Sequence, residues 1–76
     1  MAKVFCANLP NDITEEELRA WFDEKNVQVT SVTIMRDLFG GQVPVCYAEL
    51  VEGTTVQEAV SALNGQNLRG YSIRVA

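Results

Sequence analysis

The side chains best suited to chemistry in this 76-residue sequence are two aromatic rings, Phe5 and Tyr47. Each lies in a short alternating stretch. Val43 to Leu50 reads VPVCYAEL. On a strand, Pro44, Cys46, Ala48 and Leu50 fall on one side and Val43, Val45, Tyr47 and Glu49 on the other, because successive side chains oppose each other. The first set is small and apolar and suits a core. The second carries a ring and a carboxylate. Val4 to Leu9 repeats the design, with Val4 and Cys6 on one side and Phe5 and Ala7 on the other. A ring on the solvent side of a sheet is either a surface residue chosen for strand propensity or a platform on which a flat ligand stacks.

Other chemistries find little here. Histidine is absent, and no Cys/His spacing suggests a metal or a nucleophile. No glycine-rich loop has phosphate-cradling spacing. Glu15, Glu16, Glu17, Asp23 and Glu24 cluster on what reads as a solvated helix. The sequence therefore argues against an enzyme and for no cofactor or metal. Cys6 and Cys46 both fall on core-facing strand positions, which predicts two reduced, buried thiols in an intracellular protein, cytoplasmic or nuclear. No apolar run reaches the roughly 18 residues of a membrane span, and no secretory leader is expected.

The elements that must position the rings follow in order. Lys3 to Asn8 is the first strand. Leu9-Pro10-Asn11-Asp12 is turn chemistry. Thr14 caps a helix, Glu17 completes a capping box, and Ile13 with Leu18 forms a hydrophobic staple. Leu18, Trp21 and Phe22 make its buried stripe, and Asn26 is a left-handed terminator. Val29 to Arg36 is a second strand, with Val32 and Ile34 inward and Thr33 and Met35 outward. A loop over Asp37 to Gln42 leads into the third strand, where Pro44 marks the beginning or an irregularity. Thr54 or Thr55 caps a second helix with Val56, Ala59, Val60 and Leu63 as its stripe, and Gly65 ends it. Leu68 to Gly70 is a turn or short ribbon. Tyr71 to Ala76 is the last strand, with Ile73 and Val75 inward. The order βαββαβ in one domain, residues 1–76, predicts an α+β, ferredoxin-like sandwich. Both helices cover one face of a single sheet and leave the other open.

In this arrangement the chain resembles an RNA recognition motif over nearly its whole length. Val4-Phe5-Cys6-Ala7-Asn8-Leu9 resembles the family's RNP2 hexamer, and Val43 to Leu50 sits where the RNP1 octamer belongs. Ile34-Met35-Arg36-Asp37, Leu63-Asn64-Gly65, Leu68-Arg69-Gly70 and Ile73-Arg74-Val75 are similar to its other segments. The resemblance implies a four-stranded antiparallel sheet of order 4-1-3-2, with single-stranded RNA across its open face. It places the stacking positions at Phe5, Val45 and Tyr47, so one ring of three is replaced by an aliphatic. The octamer opens Val43-Pro44 where the family has a basic residue and glycine. The loop Leu38-Phe39-Gly40-Gly41-Gln42 lacks arginine and lysine.

Net charge is −4, which argues against binding nucleic acid by charge alone. The distribution is uneven. Lys3, Arg36 and Arg74 project from the sheet or its rim, against Glu49 alone on the open face. Two functions of different class follow. One is a monomeric single-stranded RNA-binding module with modest affinity. In it Phe5 and Tyr47 stack bases, Val45 and Met35 lie beside them, and Lys3, Arg36 and Arg74 meet phosphates or base edges. The other is a protein-interaction module that docks a partner on the sheet's aliphatic patch or the acidic first helix.

Overall fold

The computed structural model describes residues 2–35 and 44–76. In chain order the elements are β1 (Lys3–Ala7), α1 (Glu15–Glu24), β2 (Val29–Met35), β3 (Val45–Leu50), α2 (Val56–Leu63), β4 (Asn67–Leu68), β5 (Tyr71–Ser72) and β6 (Arg74–Val75). One antiparallel sheet has the order β2-β3-β1-β6, and β4 with β5 forms a separate ribbon. This is the ferredoxin-like arrangement that the sequence predicts, in the strand order that the resemblance implies.

Alternation builds the core. Val4 and Cys6 of β1 and Cys46, Ala48 and Leu50 of β3 are buried on one face. Helix α1 covers it with Leu18, Trp21 and Phe22, and α2 adds Ala59 and Leu63. Trp21 is a core residue whose indole N–H donates to the Asn67 carbonyl at 3.1 Å, which satisfies the one polar atom it brings inside. Pro44 stands buried immediately before β3, where its missing N–H costs no ladder bond.

The helix starts differ. Thr55 caps α2 in a full reciprocal box: its Oγ1 accepts from the Glu58 N–H at 3.1 Å, and Glu58 Oε1 accepts from the Thr55 N–H at 3.0 Å. Thr14 Oγ1 likewise accepts from the Glu17 N–H. The Glu17 carboxylate, however, is taken by Arg69, whose Nε and Nη2 donate at 2.6 and 3.0 Å. Arg69 Nη2 also reaches Asp12 at 2.8 Å, so the β4–β5 turn is clamped to the start of α1. Asp12, and then Glu17, raise the Arg69 pKa.

Two further expectations need correction. Tyr71 to Ala76 is not one strand. Arg69 and Gly70 both have positive φ (53° and 83°), the two-residue turn of a tight hairpin, so Tyr71–Ser72 pairs back onto Asn67–Leu68. Only Arg74–Val75 joins the main sheet. Val56, the first residue of α2, is 38% exposed and does not belong to the helix's buried stripe, which keeps Ala59 and Leu63.

Candidate nucleic-acid interface

The open face is laid out in rows, because residues directly opposite in neighbouring strands share a side of the sheet. One row runs Ser31, Glu49, Lys3. The next runs Thr33, Tyr47, Phe5. A third begins Met35, Val45. Arg74 stands opposite Ala7 at the other end of β1, on the Phe5 side. The structure thus brings together Lys3, Phe5, Tyr47, Val45 and Met35, with Arg74 beyond them on β6. Arg36 lies outside the described residues, as do Phe39 and Val43.

The hydrogen-bond ladder explains why the two rings meet. Phe5 exchanges both backbone bonds with Ala76, at 2.8 and 2.9 Å, so its peptide groups point toward β6. Against β3 it is therefore a non-hydrogen-bonded residue, the kind of cross-strand pair whose side chains approach most closely. The Phe5 and Tyr47 ring centroids are 5.7 Å apart and their planes are tilted by 43°. Phe5 is half exposed, which costs roughly half of what burial of such a ring contributes. Tyr47, Val45 and Met35 are half-buried on the same face.

Charge on this face is specific. Lys3 is diagonal to Tyr47, and its Nζ lies 5.4 Å from the ring centroid in a cation–π contact. That contact was legible in the spacing: Lys3 is two residues from Phe5, hence on the same side, and one step along from the Phe5–Tyr47 row. Glu49 Oε1 accepts from Ser31 Oγ at 2.9 Å. This pair follows a register shift between Val29 and Ser31, a bulge that no sequence signal announces. The acidic residues Glu15, Glu16, Asp23 and Glu24 are exposed on α1, which packs on the opposite face of the sheet. Among the described residues no group of three or more His, Cys, Asp or Glu side chains is placed to hold a metal. No described helix is long and apolar enough to cross a membrane.

The fold and this face define a class. The family model for the RNA recognition motif matches residues 4–74. The chain belongs to the RNA recognition motif family. Among solved structures it is similar to the RRM3 domain of Mip6, with a TM-score of 0.81 and 22% identity over 97% of this chain and 88% of that one. It is similar to an Sxl-lethal protein/RNA complex, with a TM-score of 0.75 and 28% identity; it is covered over 99% of its length but spans only 46% of that chain. It also resembles the Rna15 RRM with bound RNA (GU), with a TM-score of 0.76 and 23% identity over 97% of this chain and 79% of that one.

Proposed function

We propose that this domain binds single-stranded RNA across its open sheet face. The observation that carries the reading is the pair of adjacent rings, Phe5 and Tyr47, held side by side on the uncovered face. Two neighbouring π-faces offer two successive bases a surface to stack on. Val45 and Met35 extend the apolar floor beside Tyr47. Lys3 and Arg74 flank the rings as phosphate partners, and Arg36 joins them as a third. The RNA bound in the Sxl-lethal complex and in the Rna15 structure supports this assignment by analogy of fold. The domain acts as a monomer without a cofactor, and its few cations make the affinity modest.

The test is an NMR titration with short random-pool RNA oligonucleotides. Shifts centred on Phe5 and Tyr47 are expected. A sheet that stays silent while the oligonucleotides are in excess overturns the reading. A second reading, a sheet patch that docks a protein, has one observation in its favour. Val45 and Met35 face each other as a half-buried aliphatic pair at a position where the family carries a ring.

A further inference from the structure

We propose that Glu49 makes this face select guanine as the base stacked on Tyr47, an inference that rests on the RNA-binding reading of the face. Glu49 is a carboxylate on a surface meant for a polyanion, and that misfit needs a reason. It stands two residues from Tyr47 on the same side of β3, about 7 Å along the strand. A phosphate is repelled there, so the RNA backbone runs elsewhere and a base edge faces the carboxylate.

The carboxylate is also held in place. Ser31 Oγ donates to Oε1 at 2.9 Å from the neighbouring strand. An ionised carboxylate has about four acceptor sites, so one hydroxyl leaves it able to accept two more donors side by side. Lys3 stands opposite Glu49 in the same row but sends its ammonium over Tyr47, where it can meet a phosphate.

Only one base offers the matching edge. The Watson–Crick edge of guanine carries two adjacent donors, N1–H and the N2 amino group. Adenine and cytosine set a ring-nitrogen acceptor beside their amino group. Uracil flanks its single N3–H with two carbonyl oxygens. Against a carboxylate acceptor, guanine makes a bidentate pair, and each other base turns at least one lone pair toward negative charge.

The experiment titrates the whole chain with the pentaribonucleotides UUGUU, UUAUU, UUCUU, UUUUU and UUIUU, where I is inosine. UUGUU is expected to bind about tenfold more tightly than the A, C and U versions, within the range of one bidentate base contact. Inosine keeps N1–H and loses the amino group, so UUIUU falls between. Glu49→Gln replaces one acceptor with a donor, so its preference for UUGUU should disappear and UUAUU and UUCUU, whose edges pair a donor with an acceptor, should gain. Equal affinity for all five, with shifts at Phe5 and Tyr47, overturns this inference and leaves RNA binding standing. So does a guanine preference that survives in Glu49→Gln. Failure of the parent to bind any of the five overturns both. The inosine comparison needs no variant, so the inference stays testable even if Glu49→Gln does not fold.

Discussion

Phe5 and Cys6 are chain neighbours, and across the sheet they face Tyr47 and Cys46, which are also neighbours. One pair looks at solvent and the other lies in the core. The same two strands thus carry two different surfaces one residue out of step. On the core side, side chains are chosen to fill space under the helices: Val4, Cys6, Cys46 and Ala48 are all fully buried. On the open side, rings and charges occupy positions where packing asks for nothing of the kind. A residue that stability does not require at its position is the better clue to function.

The sharpest way to break the comparison is to remove rings from each side in turn. Phe5→Ala with Tyr47→Ala should abolish detectable RNA binding and leave the fold intact. Each stacked base is worth about 1–3 kcal/mol, and few cations compensate. Phe22→Ala, on the buried stripe of α1, should instead destabilise the fold by about 3–5 kcal/mol in urea unfolding. Parent-like RNA affinity in the double variant would remove the stacking platform from the argument.

A smaller change sharpens the comparison by adding to the open side. Val45 shares the Tyr47 side of β3 and is half-buried opposite Met35. Val45→Phe should raise RNA affinity roughly tenfold, the low end of one added stacking contact. The fold should barely respond, since phenylalanine is a good strand former. If the aliphatic pair docks a protein, the ring gains nothing for RNA and weakens that contact. Measured affinities for parent and variant therefore separate the two readings.

A weaker effect still is the response to salt. Lys3, Arg36 and Arg74 are the candidate phosphate partners, at about −0.7 each in the slope of log affinity against log salt. A slope of roughly −2 at most is expected. A much steeper one would place a basic surface somewhere other than this face.

Much of this was legible because two periodicities govern it. The alternation in Val4 to Leu9 and Val43 to Leu50 assigned the faces of β1 and β3, and the 3.6-residue stripe of Leu18, Trp21 and Phe22 assigned that of α1. What escaped depends on partners far apart in the chain. The capping box expected at Thr14 forms only by half: Thr14 accepts from the Glu17 N–H, but Arg69, 52 residues on, holds the Glu17 carboxylate. Leu68 to Gly70 was legible as a turn or short ribbon, but Arg69 carries no sign that it adopts a left-handed conformation, so the last strand read as continuous where Tyr71–Ser72 in fact pairs back onto Asn67–Leu68. The Ser31–Glu49 pair depends on a bulge, and one extra residue in β2 cannot be counted from composition or spacing. The rings of the candidate site were readable from position. The residues that orient what lies beside them were not.

The smallest expected effect concerns the buried pair and is a change that does not happen. Cys6 and Cys46 are free, fully buried and directly opposed. Opposed cysteines invite the idea of a disulfide, and the ladder argues against it. Phe5 spends its backbone bonds on Ala76, so Cys6 and Cys46, one step along, are a hydrogen-bonded pair in the β1–β3 ladder. Side chains of such pairs stand wider apart than those of the Phe5–Tyr47 kind, toward the roughly 5.5 Å end of cross-strand Cβ separations, whereas a disulfide needs about 3.5–4.5 Å. Chemistry points the same way. The contact with Cys46, then burial, pushes the Cys6 thiol well above the ordinary cysteine range, and the thiolate is the form that reacts. Native protein treated with a mild oxidant should keep the mass of the reduced chain, and both thiols should react with a maleimide only after unfolding. A native mass two hydrogens lower would show that β1 and β3 can close at this point. The wide pair would then not be the barrier that the ladder makes it.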